Sequence, residues 1–212
     1  MVRDRSWFAV DGELEPLAYE GDTSFRFPER IAQHVLERFS GVGDWVLDPF
    51  CGFGTTLVVA ERLGRNAAGI EIDRGRAAFA ATRVSDPSRV LHGCCADIEP
   101  GRWPLFDLVL TSPPYGSFTD GSRIDAADDY VASATRLFHQ IARVLAPGAV
   151  LAVEVAQARE SAATRPIVWH VGRALCSLFV LQEDIVRVNT GATEAGLGYD
   201  HSHILVFRNE HP

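Results

Sequence analysis

Ser112-Pro113-Pro114-Tyr115 is the stretch of this chain best equipped to hold a reacting group. A proline has no N–H to donate and cannot continue a central strand or a helix interior. Carbonyls in the stretch therefore stand free to accept. Ser112 adds a hydroxyl and Tyr115 a flat aromatic face. An amino group on a planar aromatic ring needs such a set. Its ring stacks on Tyr115, a contact worth roughly 1–3 kcal/mol for a base. Its two hydrogens go to the Ser112 side chain and the Pro113 carbonyl. Such an amine is a poor nucleophile, because its lone pair is delocalised into the ring. Two acceptors can aim that lone pair at an electrophile, and alignment supplies much of the acceleration.

A second stretch, Asp44 to Thr56, has the features of a ligand loop. Trp45, Val46 and Leu47 form a short apolar run fit for a buried strand. Thr55 to Leu63 reads as an amphipathic helix that stops at Gly64. Between them, Pro49 holds Asp48 extended. Gly52 and Gly54 lack a Cβ, so the backbone can turn sharply and a ligand can come close. The helix behind points its free N–H groups at whatever sits there. A dinucleotide loop would need a third glycine at position 57, where Leu57 stands. A phosphate-binding P-loop needs a lysine, and all 20 Lys+Arg residues are arginine. Glu71 lies about twenty residues beyond the loop, where a doubly wound fold places an acid on ribose hydroxyls. A carboxylate suits a vicinal diol, since it accepts two hydrogen bonds.

The elements that must position these loops alternate along the chain. Strands are expected over about 45–47, 66–72, 89–92, 106–111, 149–155, 180–188 and 203–207, and helices over 28–40, 55–63, 74–84, 126–145 and 166–179. Proline suits the first turn of the helix at 28–40, whose buried stripe is Ile31, His34, Val35, Leu36 and Phe39. Tyr130, Ala134, Leu137, Phe138, Ile141 and Leu145 point inward from the long helix, which Pro147-Gly148 ends. Trp7, Phe8 and Val10 either pack on the domain or pair as a short strand. The alternation predicts an α/β fold, a mostly parallel doubly wound sheet, with an antiparallel closing strand after a glycine-rich loop at 191–198. Residues 1–27 read as a leader packing on a single domain of residues 28–212.

The chain has 212 residues, 47% hydrophobic and 23% charged, an ordinary globular balance. No apolar run approaches the roughly 18 residues of a membrane span. The first residues show no signal-peptide region, so a cytoplasmic protein is expected. Cys51, Cys94, Cys95 and Cys176 include no C-x-x-C pair and indicate neither a zinc knuckle nor a disulfide framework. His201 and His203 form an H-x-H pair, open to metal binding or to plain alternation on a last strand; no metal is expected. The formal net charge of −8 opposes unaided binding to a nucleic-acid backbone, although a local arginine patch would suit phosphate.

Asp48-Pro49-Phe50-x-Gly52-x-Gly54-Thr55 followed by Ser112-Pro113-Pro114-Tyr115 resembles the amino-methylating DNA methyltransferases of the N4-cytosine/N6-adenine type. The motif order is also similar to that of tRNA guanine-N2 methyltransferases. The resemblance covers about residues 25–155. It implies a Rossmann-like class I methyltransferase fold and S-adenosyl-L-methionine as cofactor. Asp48, Pro49, Phe50, Gly52, Gly54 and Thr55 would hold its methionine end, and Glu71 its ribose. Asp97 would accept from the adenine amine. Phe27 and Pro28 would help cover the methionine portion, or simply begin a helix packed on the sheet. Ser112, Pro113, Pro114 and Tyr115 would be the catalytic set, transferring methyl to an exocyclic amino nitrogen. Serine in the first position leans toward cytosine. The acceptor classes are a DNA base, an RNA guanine or a small-molecule amine; an inactive cofactor-binding subunit is the remaining class. No target-recognition domain is evident, so a partner subunit could supply recognition. A target in a duplex must be flipped out. No membrane partner is expected.

Overall fold

Period-two alternation along the strands divides the core between two faces of one sheet. The computed structural model describes residues 6–11, 14–23, 26–114, 127–160, 163–190 and 200–210. In chain order the elements are β1 (Trp7–Val10), α1 (Glu29–Phe39), β2 (Trp45–Asp48), α2 (Thr55–Arg62), β3 (Asn66–Glu71), α3 (Arg74–Ala81), β4 (Val90–His92), β5 (Phe106–Thr111), α4 (Ala127–Ala142), β6 (Leu145–Val155), β7 (Ala158–Glu160), β8 (Ala163–Arg165), α5 (Ile167–Leu175), β9 (Val180–Asn189) and β10 (His201–Arg208). Val46, Leu108, Leu110, Ile204 and Val206 pack with Ile31, Val35, Leu36, Leu57 and Ala60 of α1 and α2. Their neighbours Leu47, Val109, Leu205 and Phe207 face the other way, onto α4 and α5.

The sheet runs β1-β9-β10-β6-β5-β2-β3-β4. β10 is antiparallel to both β6 and β9, while the other pairings are parallel. The mostly parallel sheet with an antiparallel closing strand is thus borne out. β1 joins it as an edge strand on β9, so Trp7, Phe8 and Val10 pair as a strand. From β2 the chain winds outward through β3 and β4, then crosses to β5 and β6 on the other side. The strand order therefore reverses between β2 and β5. In open α/β sheets ligands bind in the crevice at such a switch point, beyond the carboxyl ends of the strands.

Several expected boundaries move. The helix expected to reach Leu145 ends at Ala142, and β6 begins at Leu145 rather than Ala149. Pro147-Gly148 therefore lies inside a strand. The ladder survives the missing proline N–H because neighbouring groups find partners. Phe106 N–H donates to the Val144 carbonyl at 2.9 Å, and Gly148 N–H donates to the Asn209 carbonyl at 2.9 Å. Gly148 takes φ +76°, which a glycine adopts without strain. The helix expected over 166–179 spans only Ile167–Leu175, with turns to Phe179. α3 stops at Ala81, short of Val84. The β7–β8 hairpin is an addition to the expected order. The glycine-rich loop at 191–198 lies outside the described residues.

Candidate active site

The two loops singled out by chemistry leave adjacent strands, β2 and β5, at the switch point, and one carboxylate joins them. Asp48, the last residue of β2, is buried and accepts three hydrogen bonds. The donors are Phe50 N–H at 3.1 Å, Thr56 Oγ1 at 2.6 Å and Thr111 Oγ1 at 2.7 Å. They come from the glycine loop, the first turn of α2 and the end of β5. Burial pushes the Asp48 carboxyl up to about 6, and the Thr111, Thr56 and Phe50 donors pull it back down. Every donor on it is internal, which makes Asp48 first a hub of the two loops.

The glycine loop is held from several sides. Cys51 N–H donates to the Ile70 carbonyl at 3.0 Å, and Gly54 N–H to the Cys51 carbonyl at 2.7 Å. Arg83 donates to the Phe53 carbonyl at 2.6 Å and faces Glu29 at 3.6 Å. Burial lowers the guanidinium pKa of Arg83, and Glu29 opposes that shift. Gly52 N–H donates to Glu71 Oε2 at 2.9 Å, and Asp73 N–H to Glu71 Oε1 at 2.8 Å. Glu71 thus ties the end of β3 to the loop. Asp73 caps α3 by accepting from Arg76 N–H at 2.8 Å.

The two loop glycines differ in what they face. Both have positive φ, +51° at Gly52 and +82° at Gly54. A Cβ on Gly54 would stand 3.2 Å from the Ala80 Cβ of α3, whereas a Cβ on Gly52 would meet nothing within 4 Å. Gly52 therefore faces open space, and Gly54 is required by turn conformation and by packing. The close helix–strand approach that a third loop glycine would permit is supplied from the strand instead. A Cβ on Gly69 would lie 2.8 Å from Cys51 and from Leu57 Cδ1.

The remaining expected residues fall as follows. Pro49 and Phe50 form the turn after β2, and the Phe50 ring lies 6.4 Å from that of Phe138. Thr55 opens α2 and is buried, but the hydroxyl that reaches Asp48 belongs to Thr56. Phe27 is buried in the α1–α2 cluster, and Pro28 caps α1 and accepts from Ile31 N–H at 3.0 Å. Phe27 thus packs that helix on the sheet, and Pro28 begins it. Asp97 is exposed, at the end of a short turn after β4. Ser112 and Pro114 are half-buried and Pro113 is buried. Tyr115 lies outside the described residues. Tyr130 of α4, expected only as an inward apolar residue, donates its hydroxyl to the Pro114 carbonyl at 3.1 Å.

Thr56, Thr111, Gly69, Arg83 and the Tyr130 hydroxyl were missed as site residues. The threonine flanking each motif was the available signal. His203 on β10 pairs with Asp184 at 2.9 Å. Among the described residues no group of three or more His, Cys, Asp or Glu could hold a metal ion.

The comparisons with known proteins agree with this architecture. The N6/N4-type family described as DNA methylase matches residues 15–82, which include α1, the glycine loop, β3 and α3. The chain is similar to the type II methyltransferase M.MjaI of Methanocaldococcus jannaschii, with 52% identity over 78 residues, 34% of this chain and 25% of that protein. It spans a quarter or less of the length of the curated relatives it matches. Among solved structures, TrmN of Thermus thermophilus superposes with TM-score 0.62 at 20% identity, covering 85% of this chain and 48% of that one. PH1948 of Pyrococcus horikoshii gives TM-score 0.63 at 15% identity, covering 93% and 94%. The fold is the Rossmann-like class I methyltransferase fold, and the similarity to the N6/N4-type DNA methylase family extends over residues 15–82.

Proposed function

We propose that the chain is an S-adenosylmethionine-dependent N-methyltransferase acting on an exocyclic amino nitrogen of a nucleobase, with DNA as the first acceptor class. The observation that carries it is the Asp48 bridge, which seats a glycine loop and an S-P-P segment side by side at the switch point. The residues fit the cofactor. Gly52 leaves open space beside the loop, α2 begins behind it with its first-turn N–H groups, and each Glu71 oxygen, already holding one N–H, keeps a lone pair for a ribose hydroxyl. The cofactor supplies an activated methyl group on a sulfonium. Ser112 and the Pro113 carbonyl accept the two amine hydrogens and aim the lone pair, and Tyr115 stacks on the base. Asp97 serves the adenine amine. Phe27 and Pro28 close the methionine side. Alignment, not a strong base, does the catalytic work.

Residues 28–212 form the transferring unit, with residues 1–27 as a leader joined to its sheet. The net charge of −8 favours a partner subunit that supplies the cationic face for a duplex. The same charge also favours a second reading, a small-molecule amine as acceptor, while the assignment of PH1948 as a candidate RNA methyltransferase keeps RNA among the acceptors to be tested.

Transfer of labelled methyl to unmethylated DNA, tRNA and a small-metabolite pool in parallel tests the proposal. Label is expected in DNA, and Ser112→Ala should lower turnover on the order of tenfold to a thousandfold while S-adenosylmethionine binding persists. Label confined to another pool reassigns the acceptor. No label in any pool, from a protein that binds the cofactor and is assayed at low salt with acceptor concentrations that overcome weak binding, ends the enzyme reading.

A further inference from the structure

Three carbonyls lie in Ser112-Pro113-Pro114, and an amine needs only two acceptors, one of which is the Ser112 hydroxyl. Something must therefore decide which carbonyl faces the acceptor. The segment is held at both ends by hydroxyl groups of different elements. Before it, Thr111 Oγ1 donates to Asp48 at 2.7 Å. Within it, Tyr130 Oη donates to the Pro114 carbonyl at 3.1 Å. Tyr130 stands in the first turn of α4 and is only 1% exposed. Its ring lies 6.2 Å from that of His170 on α5. A phenol wedged between two helices has little freedom, so its hydroxyl makes a fixed anchor. Burial holds its pKa well above the usual phenol range, with Arg165 opposing, so it stays a donor throughout the physiological range.

We infer that Tyr130 is a positioning residue for the acceptor loop: by anchoring the Pro114 carbonyl it sets the direction in which the Ser112 hydroxyl and the Pro113 carbonyl face the amine. A peptide unit is planar, so fixing the Pro114 carbonyl also fixes the plane of the peptide bond that leads toward the next residue. Two anchored ends leave the three-residue segment little room to rotate. Its acceptors are then already aimed when the amine arrives, and no ordering cost remains to be met during reaction. The assignment rests on the amine-acceptor reading proposed above.

Tyr130→Phe removes the donor and keeps the ring. Ile141→Val, on the same helix and fully buried, is the control for a merely structural loss. Four quantities are compared in the full chain: cofactor affinity by calorimetry, melting temperature, kcat and KM for methyl transfer to unmethylated DNA, and hydrogen exchange at the Ser112 amide. Tyr130→Phe is expected to bind S-adenosylmethionine within about twofold of wild type, as its hydroxyl donates to the acceptor loop and not to the glycine loop's Asp48 hub. Its kcat should fall on the order of tenfold, as for a lost alignment, with Ser112 exchanging faster than in Ile141→Val. Equal turnover per folded molecule and equal exchange in the two variants would overturn the assignment. If wild type transfers no methyl at all, the enzyme reading falls, and the exchange comparison still decides whether Tyr130 holds the loop.

Discussion

Thr111 Oγ1 donates to Asp48 Oδ1 at 2.7 Å, across two strands whose loops carry different halves of the candidate site. Asp48 also receives Phe50 N–H and Thr56 Oγ1, so a shift of one loop is felt by the other through a single carboxylate. Such a network should not be additive. Thr111→Val keeps the shape and removes one donor to a buried carboxylate, a loss of about 1.5–3 kcal/mol. Thr56→Val should cost a similar amount, and the double variant should differ from the sum by more than about 0.5 kcal/mol. Urea melts of the four proteins measure this, and strict additivity would deny the shared hub.

Titration of Asp48 gives the next prediction. Burial holds its carboxyl near 6 in the folded chain, above the ordinary value of 3.8. Between those two values the folded state binds more protons than the unfolded state, so the contribution of this group to stability is greatest at acid pH. It falls as pH rises through the window and levels off above about 6. A rise of this size corresponds to about 3 kcal/mol. Asp48→Asn cannot titrate, so the stability difference between wild type and variant should slope downward from about pH 4 to about pH 6. Parallel profiles for the two proteins would mean that Asp48 ionises as an ordinary carboxyl.

The loop glycines separate folding from binding. Either alanine variant must adopt positive φ, at a cost of roughly 1–2 kcal/mol. Gly54→Ala adds a contact at 3.2 Å with Ala80, while Gly52→Ala meets nothing within 4 Å. Gly54→Ala should therefore lower the melting temperature more. Gly52→Ala should lose more cofactor affinity than its melting temperature predicts, because its methyl stands where the ligand would come. Calorimetry and melts on both variants decide, and equal cofactor affinity in Gly52→Ala and wild type would move the ligand off this loop.

The layout was legible because its signals are local. Glycine and proline break strands and helices by their own backbone limits, so the glycine loop and the end of β5 before Ser112 fall where their residues indicate. Leu108 and Leu110 alternate with Val109 as a strand buried on both faces requires. Pro147-Gly148 misled for the same reason: locally it reads as a stop, but Asn209 satisfies Gly148 from the far end of the chain. The wiring of the site was illegible because it is not local. Thr111 is 63 residues from Asp48 in sequence, and Tyr130 looks like any inward aromatic until the Pro114 carbonyl is seen against its hydroxyl. Gly69 reads as a weak strand residue until Cys51 and Leu57 are found packed against it.

Charge supplies the last prediction. The chain carries a formal −8, and many of its arginines already face carboxylates: Arg38 with Glu183, Arg62 and Arg83 with Glu29, Arg89 with Asp86, Arg173 with Asp128. Each such pair is a cation less available to release counterions from a phosphate backbone. Non-specific affinity for duplex DNA is supplied almost entirely by that release, with Kd of about 10⁻⁴–10⁻⁶ M for proteins built for it. The isolated chain should therefore bind random duplex DNA at or beyond the weak end of that range near physiological salt, with a shallow salt slope. Under the proposed DNA reading, something else would have to bring the duplex to Ser112, such as a cationic partner subunit. Fluorescence anisotropy with a random duplex at several salt concentrations tests this. Micromolar binding with a steep salt slope would show that a concentrated arginine face outweighs the net charge, and the need for a partner would disappear while the DNA reading gained support.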